Sequence, residues 1–536
     1  MKPLTPILSA ENMRRLDRET IAAGTAGIRL MENAGHAICR QVMSWAARLP
    51  LHGSGKPSLL ICAGPGNNGG DGLVVARLMA AQGWDATVAL CSRKQAAPGS
   101  DAHANLERWQ AAGGRLIAAS ELLNEMDSGV AYTLVVDALF GTGFSRPLGP
   151  EEARVVEAIN GSRLPVIAID LPSGLSADTG QALGPAIKAV ATVTLGAGKP
   201  GLFKGQGPEL AGRISVADIG LLTMAELDLN IEGEVIDERG CRSLLSPRPR
   251  AAHKGDFGHV LVVAGSRGKS GAAVLASRAA LRGGAGLVTM ALPASLVDTA
   301  NATLNEAMTL SLADRDGELD EGAWEGLAPV IDDFNAVVAG PGLGRGPGAE
   351  TLVLKLLELA ACPLVLDADA LNILAAVEAR RPGTLRQALN KRASQGKGEV
   401  TLTPHPGEMA RLARTDTASV QAGREETACK FAEANPAIVV LKGAATLVVE
   451  GQRRAVNTSG NPGMASAGMG DVLAGLIAAI RAQTDSGFEA AALAVYVHGA
   501  AADLLADRLG GPGFLAGEVA DAVPAVVARL CPQSLP

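Results

Sequence analysis

Two short stretches concentrate the residue types that do chemistry. The first is Gly64-Pro65-Gly66-Asn67-Asn68-Gly69-Gly70-Asp71-Gly72, set between the apolar runs Ser58–Ala63 and Leu73–Met79. Glycine at a strand-to-helix turn lets backbone N–H groups approach a phosphate at a helix N-terminus. Gly64, Gly66 and Gly69 match the GxGxxG spacing of a dinucleotide loop, so a dehydrogenase competes here, as does a plain tight turn. Two features disagree with a dehydrogenase. Asn67, Asn68 and Asp71 add donors and acceptors that a pyrophosphate loop does not need. Cys91-Ser92-Arg93 ends the next strand where the ribose-reading acid belongs.

The second stretch, Asn457–Asp471, ends in Gly468-Met469-Gly470-Asp471 before the apolar run Val472–Ile480. Gly468 and Gly470 leave N–H groups bare at a helix start, an anion hole for a transferring phosphate aided by the helix dipole. Asp471 stands where a carboxylate can take a proton from a hydroxyl attacking that phosphate. A third candidate, Gly265-Ser266-Arg267-Gly268-Lys269-Ser270, fails as a P-loop, because that motif needs glycine where Val263 stands. Asp137 and Asp170 each close an apolar run, as turn caps or as ligands. His405, between two prolines, is a capping imidazole or a ligand.

These residues need sheets to hold them. Apolar runs of strand length alternate with longer helical stretches, the pattern of parallel sheets covered by helices. The first half offers Ser58–Ala63, Ala86–Cys91, Tyr132–Leu139, Pro165–Asp170 and Val190–Leu195, after a helix marked by Leu30, Met31, Ala34, Ala37 and Ile38. The second offers His259–Ala264, Leu287–Ala291, Ala336–Ala339, Leu364–Leu366, Val400–Leu402, Ile438–Leu441 and Thr446–Val449. Asp218–Arg250 is richer in charge and proline, and Ser246–Arg250 reads as the end of a linker. No repeat relates the halves. We expect an α/β protein of two domains, divided at residues 1–225 and 226–536.

Glycine is the compositional anomaly, 65 of 536 residues, or roughly 12% against a typical ~7%. It gathers in the turns just described. A net charge of −7 and 3% aromatics exclude a phosphate-polymer or base-stacking surface, so no nucleic-acid partner is expected. Seven scattered cysteines with no CxxC pair fit reduced thiols in the cytoplasm. No signal peptide or membrane span is expected; the longest apolar runs, such as Val472–Ile480, are too short.

The GPGNNGGDG string resembles the signature of the NAD(P)H-hydrate epimerase (YjeF N-terminal) family. Met31-Glu32-Asn33-Ala34-Gly35, Asp137–Gly143 and Asp170-Leu171-Pro172-Ser173-Gly174 agree in order and spacing over residues 10–220. The resemblance implies a Rossmann-like three-layer domain that interconverts the R and S forms of hydrated NADH and NADPH. It implies substrate contacts from Asn67, Asn68, Gly69, Gly70, Asp71, Gly141, Thr142, Gly143, Phe144, Ser145, Arg146, Pro147 and Asp170. It implies potassium held by Asn68, Asp137 and Ser173, acid–base work by Asp170, and assistance from Lys199.

Glycine-x-glycine-Asp before an apolar helix resembles the ribokinase-like superfamily. His253–His259, Gly340–Gly344, Leu366–Leu371, Thr403–Met409 and Leu441–Thr446 narrow the match to the ADP/ATP-dependent NAD(P)H-hydrate dehydratase (YjeF C-terminal) family, over residues 250–530. Met469 stands where that family commonly has serine. The resemblance implies a ribokinase-like α/β domain and Mg2+ with ADP or ATP. Lys442, Gly443, Ala444, Ala445, Thr446 and Gly470 would contact the nucleotide. Ala285, Gly344, His405 and Asp471 would contact the hydrated dinucleotide, with Asp471 the catalytic base. Asp367 and Asp369 would be structural or support metal-phosphate binding. The whole reads as a repair enzyme for both hydrates, and a homo-oligomer. The alternative is a ribokinase-like small-molecule kinase fused to a non-catalytic Rossmann-like binding module.

Overall fold

The computed structural model describes residues 4–49, 56–92, 94, 96–128, 132–144, 146–223 and 227–531. Arg93, Ser145 and the expected division between residues 225 and 226 lie outside the described residues. Two compact units emerge, Thr5–Val235 and the chain from Ile236 onward with Leu4.

In the first unit the strands are β1 (Thr5–Ile7), β2 (Ser58–Ala63), β3 (Asp85–Leu90), β4 (Arg115–Ala118), β5 (Leu134–Ala138), β6 (Val166–Ile169), β7 (Ala191–Leu195), β8 (Arg213–Ala217) and β9 (Gly233–Ile236). Seven form a sheet in the order β4-β3-β2-β5-β6-β7-β8, every pair parallel. β1 and β9 pair antiparallel outside it. The chain leaves β2 toward one edge and returns at β5 to build the other, so the switch point lies between β2 and β5. Ligands of open α/β sheets bind at the carboxyl ends there, where both the glycine-rich loop and Asp137 stand. Apolar side chains of β2 and β5 are buried on both faces, which explains their unbroken apolar runs.

The second unit repeats the principle on a mixed sheet. Its strands are β10 (His259–Val263), β11 (Leu287–Pro293), β12 (Met308–Leu312), a hairpin of β13 (Asp314–Arg315) and β14 (Glu318–Leu319), then β15 (Ala336–Ala339), β16 (Leu364–Leu366), β17 (Val400–Leu402), β18 (Ile438–Leu441), β19 (Leu447–Glu450) and β20 (Arg453–Asn457). They run β20-β19-β18-β17-β16-β15-β10-β11-β12, parallel from β18 to β12 and antiparallel across β18-β19-β20. This mixed sheet is the α/β architecture expected for the second half. The switch point falls between β10 and β15.

Strands that the apolar pattern did not reveal are mostly short or peripheral. β4, β8 and β12 are sheet edges with half-exposed faces, and β20 begins with two arginines. The linker reading also needs correction: a helix, Glu238–Leu244, begins within it, capped by Asp237, whose side chain accepts from the Gly240 N–H. Helix Gly487–Leu509 is long and apolar enough to cross a membrane, a stretch longer than the apolar runs we considered. It is a core helix, with 83% of its apolar window buried.

Candidate active sites

In the first unit, residues from four strand ends meet in one cavity of about 630 Å3. After β2 the backbone doubles back on itself. A Cβ on Gly69 would lie 1.9 Å from the Gly64 carbonyl, and one on Gly64 would lie 2.0 Å from that of Leu139. Only glycine fits at either position, and the turn presents Asn67, Asn68 and Asp71 on the helix Asn67–Ala81. At the end of β5, Asp137 is fully buried. Its Oδ1 accepts from the Ser173 hydroxyl at 2.7 Å and the Leu139 N–H at 3.2 Å, and its Oδ2 from the Ser173 N–H at 2.8 Å. Burial pushes the Asp137 carboxyl up to about 6 while these hydrogen bonds hold it back.

Asp170 follows β6 with φ of +67°, a strained conformation for a residue with a Cβ. Its Oδ1 takes an ion pair from Lys199 Nζ at 2.5 Å. Lys199 is 1% exposed and also donates to Thr194 Oγ1 at 3.0 Å and the Leu195 carbonyl at 2.7 Å, so all three of its donors are used. A Cβ on Gly141 would sit 3.2 Å from Asp170 Oδ2 and 3.3 Å from Asn68 Oδ1. Thus the ends of β2, β5 and β6 converge on one point. Beside it, Phe140 and Phe144 pack with ring centres 4.9 Å apart, and Arg146 lies over both rings while Glu152 holds its guanidinium. Thr142 and Gly143 line the cavity, whereas Gly69, Gly70 and Pro147 are not among its lining residues. Asp17, on the helix Ala10–Ala22, lines it too and escaped the sequence reading. Its only signal was a charged residue between the buried positions Met13, Leu16 and Thr20.

The second unit gathers charge where β16, β17 and β18 end. Asp367, 1% exposed, accepts from Lys442 Nζ at 2.6 Å and Thr403 Oγ1 at 2.7 Å on Oδ1. Glu408 lies 3.9 Å from the same ammonium. Burial works against the Lys442 charge, but Asp367 and Glu408 outweigh it and raise its pKa. Gly468, in the left-handed region at φ +87°, starts the helix Met469–Arg481. A Cβ on Gly470 would stand 3.2 Å from Lys442 Nζ and 3.6 Å from Asp367 Oδ2, so the bare helix start faces the lysine. Burial and the Asp367 charge push Asp471 up to about 7, against the pull of Lys442. A carboxyl half ionised at neutral pH suits a general base.

Around this centre, Asp369 accepts from the Gly344 N–H at 3.0 Å and pairs with Lys269 at 3.3 Å and Arg345 at 3.4 Å. His405 caps its helix: Nδ1 accepts from the Gly407 N–H at 3.0 Å, and Glu408 Oε2 accepts from the His405 N–H at 2.9 Å. The capping reading of His405 therefore holds alongside a half-exposed ring edge. Gly443 to Thr446 form the turn after Lys442, with Ala445 at φ +52° and Thr446 Oγ1 donating to the Gly443 carbonyl at 2.9 Å. Ala285 stands apart. It precedes β11, at the amino end of the parallel strands, while Gly344, His405 and Asp471 stand at their carboxyl end. Sequence reasoning missed Glu408 as a partner of Lys442, and it missed His498. His498 is buried with Nε2 unpartnered, and burial and Lys442 bring it down to about 4. Among the described residues no group of three His, Cys, Asp or Glu could hold a metal ion.

A carboxylate-lined cavity on one sheet and a glycine-opened helix facing a buried carboxylate–lysine pair on another are the sites of a nucleotide-handling enzyme. The family described as YjeF-related protein N-terminus matches residues 27–201, and the NAD(P)H-hydrate dehydratase family matches 260–525. The chain is 40% identical over 535 residues to the bifunctional NAD(P)H-hydrate repair enzyme Nnr of Moorella thermoacetica, covering 98% of this chain and 97% of that protein. The Escherichia coli protein of the same name is 33% identical over 518 residues, covering 95% and 92%. An ADP/ATP-dependent NAD(P)H-hydrate dehydratase from Bacillus subtilis, co-crystallized with ATP/Mg2+, is 31% identical. It covers 56% of this chain and 99% of its own, with a TM-score of 0.48. The chain belongs to the family of bifunctional NAD(P)H-hydrate repair enzymes.

Proposed function

We propose a division of labour within this bifunctional epimerase and dehydratase. The first unit interconverts the R and S hydrates of NADH and NADPH, and the second dehydrates the S form with ADP, or ATP, as phosphoryl donor. The observation that carries the reading is Asp471, poised near neutrality beside the bare helix start and the Lys442–Asp367 pair. Hydroxide leaves the hydrated ring poorly. Asp471 takes the proton of the ring hydroxyl as it attacks the terminal phosphate, and the helix N–H groups with Lys442 hold the charge that develops. The ring nitrogen then expels phosphate to leave a C=N+ bond, and loss of a proton to water from the adjacent ring carbon restores the dihydropyridine. Lys442 to Thr446 and Gly470 contact the nucleotide; Gly344, His405 and Asp471 face the hydrate. Asp367 Oδ2, beside Gly470, is the carboxylate oxygen that would hold magnesium brought with the nucleotide, and the ion would supply charge neutralisation at the phosphates.

In the first unit Asp170, held by Lys199, performs acid–base work next to the loop Gly141–Phe144. Potassium held by Asn68, Asp137 and Ser173 suits the oxygens of Asp137 and Ser173. Asn68 adds support, since its Nδ2 is buried without a partner and the amide turned over presents oxygen there. Cysteines scattered along the chain without a CxxC pair support a cytoplasmic enzyme, which we take to be a homo-oligomer.

The test supplies mixed R and S hydrates with ADP or ATP and follows reduced-nicotinamide absorbance. Return from both epimers is expected. Return of the S fraction alone overturns the epimerase assignment, and a stable phosphorylated product marks the kinase alternative. Epimerisation of the R hydrate should rise with KCl and not with NaCl, and Asp137→Asn should abolish that response.

A further inference from the structure

The epimerase pocket holds more carboxylates than its lysine can pair. Asp17 and Asp71 line the same cavity as Asp170 and Lys199. Lys199 directs its three donors to Asp170, Thr194 and Leu195, so none remains for the other two carboxyls. Asp71 is 7% exposed and accepts no hydrogen bond from any described residue. A buried carboxyl without donors is far cheaper neutral than charged.

We propose, resting on the epimerase reading of the first unit, that Asp71 is the proton donor of the epimerisation, and that Asp17 beside it is a positioning residue whose charge keeps the proton on Asp71. Burial raises the Asp71 carboxyl well above its ordinary value, and Asp170 and Asp17 add to the rise. Burial also raises Asp17, against the pull of Lys199 and with a push from Asp170. The charged groups facing Asp71 across the cavity are Arg14 and Asp17, Asp101, Arg146, Asp170 and Lys199.

The substrate carries its hydroxyl on the ring carbon next to nitrogen. Asp71 gives its proton to that hydroxyl, the C–O bond breaks and water leaves, while the nitrogen lone pair forms a C=N+ bond. Water adds to the opposite face of the same carbon, Asp170 takes the proton it sheds, and exchange with solvent returns that proton to Asp71. Nothing is consumed, and the configuration is inverted. The cationic intermediate lies among Asp17, Asp170 and the newly ionised Asp71, an excess of negative charge that attracts it.

The full chain is given purified R hydrate with ADP, so that signal requires epimerisation before dehydration. Asp71→Asn should lower kcat by about 10²-fold or more with KM little changed, while S hydrate is consumed at the wild-type rate. Asp71→Glu should restore part of the loss. Asp17→Asn removes a negative neighbour, so the alkaline fall of the epimerase pH profile should move to lower pH, with activity kept on the acid side. An Asp71→Asn variant that epimerises at the wild-type rate overturns the proposal. So does an Asp17→Asn profile that stays in place, which decides the matter even if Asp71→Asn fails to fold. A wild-type chain that cannot use R hydrate overturns the epimerase reading instead.

Discussion

Asp471→Asn separates chemistry from folding in the second unit. The substitution keeps the shape of the side chain at the start of helix Met469–Arg481 and removes its capacity to take a proton. General-base catalysis contributes about 10²–10⁴-fold, or about 3–5 kcal/mol of transition-state stabilisation. S-hydrate dehydration should fall by that factor with KM for the nucleotide little changed. The pH dependence follows from a carboxyl raised to about 7. Between pH 6 and 8 its ionised fraction climbs from about 9% to about 91%, so wild-type kcat should rise about tenfold and the residual rate of the variant should stay flat. Stability should move the other way. Because the folded-state pKa lies above the unfolded value of 3.8, Asp471 stabilises the fold fully below about pH 4, and that contribution is lost as pH rises through about 7. The shift corresponds to about 4 kcal/mol as an upper bound. The amide of D471N cannot ionise and escapes that loss, so the second unit of the variant should gain about 1–3 kcal/mol relative to wild type at pH 8. Denaturant unfolding at pH 4.5 and pH 8 reads the gain, and nicotinamide absorbance reads the rate. A variant that dehydrates at the wild-type rate, or a wild-type rate independent of pH between 6 and 8, refutes the reasoning.

Lys442→Met strands the buried Asp367 carboxylate without its cation. Urea unfolding should register a loss of about 3–5 kcal/mol, together with loss of dehydratase activity and retention of epimerase activity. Gly69→Ala drives a Cβ to within 1.9 Å of the Gly64 carbonyl. Epimerisation should be lost and proteolysis of the first unit accelerated, while S-hydrate dehydration by the same chain continues. His498 favours its neutral form when folded, at about 4 against 6.5. Its stabilising effect is therefore full above about pH 6.5 and lost as pH falls toward 4, by about 3 kcal/mol, and His498→Leu should flatten that slope in acid unfolding of the second unit.

The apolar runs located β2, β15, β16, β17 and β18 to the residue, because strands buried on both faces leave no polar position to blur their ends. Edge strands such as Arg115–Ala118 and Arg213–Ala217 carry polar residues toward solvent and so resemble loops in sequence. The glycine-rich turns were legible because close backbone approach excludes every side chain there. Asp17 and Glu408 were not. Each sits on a helix with ordinary polar spacing, and only the packing of that helix turns its carboxyl toward a lysine far off in the chain. His405 shows the limit from the other side, since its sequence setting served a cap and a ligand equally well and its Nδ1 was found capping.

The sequence by itself determined which residue types stand at the strand-to-helix turns, and with them the two nucleotide-handling sites and the family. Turn chemistry is local: glycine at Gly69 and Gly468 and carboxylates at Asp137, Asp170 and Asp471 are placed by neighbours in the chain. The tertiary structure decided what those groups are. Lys199 is matched to Asp170 at 2.5 Å and Lys442 to Asp367 at 2.6 Å, leaving Asp71 without a donor and Asp471 near neutrality. Desolvation and charge pairing act through space, across strands far apart in sequence, so the proton-holding groups were set by the fold alone.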